Sequence, residues 1–251
     1  MTARDVVHFI EDQVPQLSGE EGFQYGDPEA EVTGVVICWM ATVPALRFAA
    51  DHGCNLVIAH EATFQPDDSQ RQYEWVPNRA RREILDAHRI ALFRSHWSAD
   101  TICIFDEFAR LLGLGEVSRG EGFYRVFAIE PTTVRRLADR AKQAMGLETI
   151  RVAGDLDKVV SRVGLAWGGL GLYSNVGFLQ KILENGADVA IGGESDDIAM
   201  RFALDSDLPF IETGHSVSEN PGLRILSQQL AEAFPRLKVL FFENPLPYRW
   251  L

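Results

Sequence analysis

Short apolar runs alternate along the chain with stretches of helical periodicity. The runs have the length and residue types of buried strands, whereas the stretches between them repeat apolar residues three and four positions apart, as on one face of a helix. The predicted strands are residues 32–38, 56–59, 90–93, 123–129, 150–153, 162–167, 189–191, 210–211 and 238–242. Strands that alternate with helices predict an α/β fold with largely parallel pairing.

Residues with known preferences for helix ends mark several helix boundaries. Thr2 can cap a first helix because Asp5 follows three positions later, and Pro44 suits the first turn of a helix that Gly53 ends. The other predicted helices are residues 78–88, a segment from about Asp100 to Gly113, and residues 132–145, 175–185, 196–204 and 222–234. The polar residues 65–77 are predicted to form an exposed loop.

The two halves of the chain repeat a local pattern, which indicates an internal duplication. Residues 53–61 and 186–194 each run from a helix-ending Gly through a short strand to a glutamate. We predict two similar α/β lobes, residues 1–121 and 122–251, that form one structural unit, with the last helix and strand able to pack back on the first lobe. Sites in such sheets form beyond the carboxyl ends of strands, so we expect a site there, between the lobes.

A histidine and a carboxylate four residues apart follow one strand in each half. They are His96 with Asp100 and His215 with Glu219. A lone carboxylate beside a helix start is more often a helix cap, and a lone histidine after a strand is more often a hydrogen-bonded structural residue. The region 214–221 is predicted to be a loop between a strand end and the start of a helix.

A third strand, residues 56–59, also ends in a histidine and a carboxylate. Three of the six histidines thus lie just past strand ends with a carboxylate nearby. Helix capping explains the carboxylates but not the histidines, whereas a metal site explains both. Such ligands suit Zn, Mn, Fe, Co or Ni, and a bridging carboxylate lets a small ligand set hold two ions.

Other catalytic motifs fit the sequence less well. No G-x-S-x-G occurs, the cysteines lack a histidine at motif spacing, and residues 60–64 depart from H-E-x-x-H because Phe64 replaces the second histidine. The Gly-rich residues 168–171 resemble part of a phosphate-binding loop. The third glycine of that motif is missing, so a plain turn from a strand to a helix is the favoured interpretation of the segment.

Charge and cysteine content narrow the classes of partner and compartment. The net charge of −12 and pI of about 4.9 give a field that repels nucleic acid and anionic membranes. Cys38, Cys54 and Cys103 lie within apolar runs, which predicts buried thiols in a reducing compartment. No signal pattern precedes the first helix and no apolar stretch has the length of a membrane span, so a cytoplasmic protein is expected.

The ordered motifs resemble the NGG-interacting-factor-three-like family, whose members are often labelled GTP cyclohydrolase type 2 homologues. The likeness extends over residues 32–242. In the first half of the chain, residues 56–62 match a family strand that ends in His-His-Pro, and residues 96–100 match its H-x3-D motif. In the second half, residues 168–171 match its Gly-rich turn, residues 186–188 its G-A-D strand, and residues 214–219 its G-H-x3-E motif.

The resemblance implies a hexameric protein with a dinuclear metal centre. Two positions depart from the family pattern: Glu61 replaces the second histidine of His-His-Pro, and Met40 replaces a usual Asp after the first strand. Glu219 matches a glutamate that bridges both ions, and His96 would line the site. The implied metal ligands are His60, Glu61, Asp100, His215 and Glu219.

Two hypotheses of function follow. The first is a metal-dependent, cyclohydrolase-like hydrolase for a nucleotide-like or other small substrate, with His96 or Glu194 as general acid or base. The second is a non-catalytic protein that binds a metal or small ligand, or serves as a scaffold. Arg94 is the one cation at these strand ends placed to grip a phosphate, which weakens the nucleotide hypothesis.

Overall fold

The computed structural model describes residues 1–65 and 72–249, so residues 66–71 of the predicted loop 65–77 lie outside the described residues. The chain divides into two compact units. Unit 1 consists of Met1–Ile104 and Gly222–Asn244, and unit 2 consists of Phe105–Pro221 and the segment that begins at Pro245. These boundaries differ from the predicted division after residue 121.

Unit 1 is built on a five-stranded sheet. Its strands are β1 (Gly22–Tyr25), β2 (Val35–Cys38), β3 (Leu56–Ala59), β4 (Ala91–Arg94) and β11 (Val239–Phe242), in the order β1-β4-β3-β2-β11. β1 pairs antiparallel with β4, and the other neighbours pair in parallel. The strands β2, β3 and β4 are buried throughout, as their uninterrupted apolar runs require for a sheet covered on both faces.

The helices of unit 1 connect these strands. They are α1 (Ala3–Glu11), α2 (Val43–Asp51), α3 (Val76–His88), α4 (Trp97–Ala99) with the π-helical Asp100–Ile104, and the part of α9 (His215–Ala233) from Gly222. Thr2 and Asp5 form the expected reciprocal capping box at α1, and Thr42 caps α2 with Pro44 in its first turn.

Unit 2 is built on a six-stranded sheet. Its order is β5-β6-β8-β9-β10-β7, and β8, β9 and β10 pair in parallel while the flanking strands pair antiparallel. The strands are β5 (Glu116–Arg119), β6 (Val126–Thr133), β7 (Arg151–Ala153), β8 (Val159–Ala166), β9 (Val189–Gly192) and β10 (Phe210–Glu212). The helices are α5 (Phe105–Leu111), α6 (Val134–Ala144), α7 (Val176–Glu184), α8 (Asp197–Asp205) and the start of α9.

The connection pattern of the two units confirms the predicted duplication. Unit 1 contains β2-α2-β3-α3-β4-α4, and unit 2 contains β8-α7-β9-α8-β10-α9, with the three strands parallel in each. In unit 1 the last residues of the strands, Cys38, Ala59 and Arg94, lie side by side. Parallel pairing thereby brings the residues that follow β3 and β4 to one edge of their sheet.

One helix start was predicted wrongly and two strands were missed. The helix predicted at 222–234 begins at His215, with Pro221 inside it. A proline inside a helix lacks the N–H for one hydrogen bond and its ring crowds the carbonyl four residues earlier, so the sequence pattern placed the helix start after Pro221. Residues 18–31, whose glycines and acidic residues predict a loop, contain the strand β1, whose Phe23 packs edge-on against Phe93 with ring centroids 5.3 Å apart. The exposed strand β5 was missed because its residues lack a buried face.

The buried thiols were predicted correctly. Cys38, Cys54 and Cys103 are all buried and unbridged, and burial raises the pKa of the Cys38 and Cys54 thiols. Within the described ranges, no helix has the length and apolarity needed to cross a bilayer.

Candidate metal centre

His60 lies just past β3 in unit 1, fully buried. Its Nδ1 is 3.0 Å from the carbonyl oxygen of Ser95. Because a carbonyl oxygen only accepts hydrogen bonds, Nδ1 carries the proton and Nε2 of the neutral ring keeps its lone pair. Nε2 is 4.0 Å from Oδ1 of Asp100. The local fold thus directs a nitrogen of the metal-ligand type towards a buried carboxylate.

His96 joins these two residues. His60, His96 and Asp100 each offer a ligand atom, and the three atoms lie within 4.8 Å of one another. The imidazole rings of His60 and His96 are 4.6 Å apart between centroids. This buried His/Asp group has the composition and spacing to hold a metal ion.

Glu61 follows His60 and is directed towards the same group. Its Oε1 is 3.8 Å from His96 Nε2, and its Oε2 is 3.8 Å from Nη2 of Arg94. The side chain is 17% exposed. Arg94 itself is buried at the end of β4, so its guanidinium faces carboxylates of the protein and is poorly placed to grip a phosphate from solvent.

Glu20 and Glu21 also belong to this region, and the sequence analysis did not identify them. Glu20 accepts a hydrogen bond from Nδ1 of His96, and this bond, with the charge of nearby Arg94, lowers the pKa of the Glu20 carboxyl despite burial. The hydrogen bond fixes His96 with its Nε2 towards Glu61. The adjacent glutamates just before β1 were the only sequence feature that could have indicated this role, but His96, the partner of Glu20, lies 76 residues away in the sequence.

Glu21 anchors the segment that carries His96. One oxygen of its carboxylate accepts hydrogen bonds from the backbone N–H groups of His96, at 2.7 Å, and of Ser98, at 2.9 Å. The same oxygen accepts a hydrogen bond from the Ser98 hydroxyl at 2.5 Å. The other accepts from the Ser18 N–H at 2.7 Å. Burial would raise the pKa of Glu21, but the hydrogen bonds from Ser98 and Ser18 outweigh it and the pKa is lowered.

We expect Glu21→Ala to lower the free energy of unfolding at pH 7 by about 2–3 kcal/mol, because several hydrogen bonds to a charged acceptor are lost. Since the folded pKa lies below the unfolded value, this contribution is present above about pH 4.5 and is lost as pH falls through the folded pKa. Urea unfolding of the wild-type and Glu21→Ala proteins at pH 7 and pH 4 measures this contribution to the free energy of unfolding. The exposed pair Glu29–Arg4 supplies the control Glu29→Ala, which should cost far less because solvent screens an exposed ion pair. An equal deficit at both pH values would contradict the prediction.

His215 and Glu219 lie at the start of α9 in unit 2. Nδ1 of His215 is 2.9 Å from Oε2 of Glu194, and its Nε2 is 3.4 Å from Oε2 of Glu219. Glu219 is buried and Glu194 is half exposed. The carboxylate of Glu194 therefore fixes the orientation of His215, as carboxylates beside metal-binding histidines do.

The Gly-rich turn after β8 packs against these residues. The N–H of Gly168 donates to Oγ of Ser218 at 2.9 Å. Gly168 has φ +56°, and a Cβ there would lie 2.0 Å from Oε1 of Glu219. The turn is therefore a strand-to-helix turn that makes room for the Glu219 carboxylate, and the phosphate-loop alternative is not needed to explain its glycines.

Comparison with known proteins agrees with this fold. The family model described as Duf34/NIF3 (NGG1p interacting factor 3) matches residues 1–247. The chain belongs to this family. Several relatives named GTP cyclohydrolase 1 type 2 homolog are similar to this chain over most of its length. The one from Clostridium acetobutylicum is 22% identical over 100% of this chain and 99% of its own, and the one from Lactococcus lactis is 28% identical over 83% and 82%.

Solved structures share the Duf34/NIF3 fold. The Staphylococcus aureus protein SA1388 superposes with a TM-score of 0.82 at 16% identity, covering 100% of this chain and 99% of that one. A Bacillus cereus protein related to NIF3 gives a TM-score of 0.81 at 17% identity, with the same coverage. At these identities the likeness establishes the fold, and the chemistry rests on the residues themselves.

Proposed function

We propose that this Duf34/NIF3 protein is a metal-dependent hydrolase that acts on a nucleotide-like or other small substrate. Its proposed ligands for two divalent ions are His60, Glu61, Asp100, His215 and Glu219. The observation that carries the proposal is the 3.0 Å contact of His60 Nδ1 with the Ser95 carbonyl oxygen, which leaves Nε2 facing Asp100.

The donor chemistry fits divalent transition metals. His60 and His215 are both held through Nδ1 by oxygen acceptors, which leaves Nε2 directed at a carboxylate in each case. Mixed imidazole and carboxylate ligands suit Zn, Mn, Fe, Co or Ni. Bound ions would supply Lewis acidity and a more acidic water. The protein supplies the buried, oriented ligands.

The remaining polar residues are proposed to hold and move protons. His96, partly exposed and tied to Glu20 through Nδ1, is the proposed general acid or base at its Nε2. Glu194 is the other candidate, and its hydrogen bond to His215 favours a role in orienting that ring. The nucleotide-like substrate is suggested by the names of the relatives, which describe homologues of GTP cyclohydrolase 1 type 2.

A non-catalytic binding or scaffold function is the second candidate. The buried position of Arg94, paired with Glu20 and Glu61, favours it because that cation is poorly placed to grip the phosphates of a nucleotide. In either case we propose a homo-oligomer in the cytoplasm, a hexamer by family resemblance. Sedimentation velocity of the purified protein tests the assembly, and a monomer would refute that part of the proposal.

The test of function is a screen of metal-loaded protein against nucleotides, other phosphoesters and cyclic amides, with elemental analysis of the same samples. We expect more than one transition-metal ion per chain, and turnover that disappears in Glu219→Gln. Glu232→Gln, an exposed position further along α9, is the matched control and should behave as wild type. Tight metal binding without turnover would support the non-catalytic function, and no metal binding would refute the central proposal.

A further inference from the structure

Arg94 occupies an unusual position for an arginine. It is the last residue of β4, and its side chain is only 5% exposed. Its Nε donates to the carbonyl oxygen of His60 at 3.3 Å, Nη1 is 3.4 Å from Glu20, and Nη2 is 3.8 Å from Glu61. A buried guanidinium is tolerated only when carboxylates and carbonyl oxygens compensate its lost hydration. Arg94 is therefore built into the protein beside the His60 group.

The two oxygens of Glu61 have different surroundings. Oε2 faces the guanidinium of Arg94, and Oε1 faces Nε2 of His96. A carboxylate held in this way has one oxygen directed at a fixed cation and one directed at the His60, His96 and Asp100 group. The positive charge of Arg94 also offsets negative charge that would otherwise attract a cation to this group.

We propose that Arg94 is a positioning residue that sets the metal preference of the His60 group by acting through Glu61. It competes with a metal ion for one oxygen of Glu61 and leaves the other as a single-oxygen donor. This weakens binding of oxygen-preferring ions such as Mn²⁺ more than binding of Zn²⁺, which is better served by imidazole. The inference rests on the proposed metal-binding function, and it identifies a residue that determines which metal ion the His60 group prefers.

The decisive variant is Arg94→Met, which keeps an unbranched stem and removes the charge. Removing a unit charge several ångströms from a divalent ion raises its affinity by about tenfold even where water screens the interaction, and this gain is common to both ions. Releasing the second oxygen of Glu61 adds a gain for the oxygen-preferring ion, so we expect Arg94→Met to raise Mn²⁺ affinity at least about threefold more than Zn²⁺ affinity and thereby to raise the Mn²⁺/Zn²⁺ affinity ratio. Arg94→Lys retains the charge and should restore a ratio close to wild type.

A double-mutant cycle shows whether Arg94 acts through Glu61. In a Glu61→Gln background, we expect Arg94→Met to change the Mn²⁺/Zn²⁺ affinity ratio by less than about twofold. Glu61→Gln alone should lower Mn²⁺ affinity more than Zn²⁺ affinity, a result that tests the proposal even if Arg94→Met does not fold. Arg162→Met removes a more exposed arginine paired with Asp188 and should leave both affinities unchanged.

Competition titrations of Mn²⁺ and Zn²⁺ against a chromophoric chelator measure these affinities, with circular dichroism and urea unfolding to confirm folding. The inference would be overturned by an unchanged Mn²⁺/Zn²⁺ ratio in Arg94→Met, by an equal loss of both ions, or by the same rise of the ratio in the Glu61→Gln background. Metal binding by the wild-type protein would in these cases leave the proposed function intact. Failure of the wild-type protein to bind either ion would overturn the proposed function as well.

Discussion

Replacing Glu219 by alanine is expected to reduce divalent-metal affinity by more than about a hundredfold, since losing even a residue that only supports a ligand costs about 10–100-fold. Glu219 is the proposed bridging ligand, buried and 3.4 Å from Nε2 of His215. Asp100→Ala should mainly weaken one ion, because Asp100 is proposed to contact only that ion. Elemental analysis after reloading and chelator competition measure both effects.

The comparison between the two variants tests the bridging role directly. Glu219→Ala should retain little of either ion, whereas Asp100→Ala should retain close to one ion per chain. Glu232→Ala changes an exposed glutamate of the same helix and should leave the metal content unchanged. Equal and partial losses from Glu219→Ala and Asp100→Ala would contradict a ligand shared by both ions.

Gly168→Ala is expected to lower the free energy of unfolding by about 2–5 kcal/mol. Its left-handed backbone costs a non-glycine residue roughly 1–2 kcal/mol, and overpacking adds about 1–3 kcal/mol. The added Cβ would lie 2.0 Å from Oε1 of Glu219 and 3.3 Å from Nε2 of His215. The carboxylate must therefore move, and we expect metal affinity to fall together with stability.

Gly177→Ala is the matched control for this substitution. Gly177 lies in α7, and nothing is within 4 Å of the Cβ that alanine would add. Alanine is favoured over glycine within a helix by roughly 0.5–1 kcal/mol, so this variant should be as stable as wild type or slightly more stable. Thermal and urea unfolding of the two variants provide the measurement. A Gly168→Ala protein with wild-type stability and metal content would show that the turn does not constrain Glu219.

Much of the fold was predictable because its signals are local. The apolar runs of β2, β3 and β4, the capping box of Thr2 and Asp5, and the repeated helix-strand-glutamate pattern each lie within a short stretch of chain. Weak local signals were misleading. Pro221 suggested the start of a helix that in fact begins at His215. The strands β1 and β5 lack the burial that would identify them from sequence.

The sequence by itself determined which residue types follow the strand ends, because each histidine and carboxylate lies within a few positions of its strand in the sequence. Only the tertiary structure decided how each side chain is held. Glu20 lies 76 residues from His96, Glu194 lies 21 residues from His215, and Gly168 lies 50 residues from Ser218. Such contacts depend on packing between distant segments, and local periodicity carries no information about them.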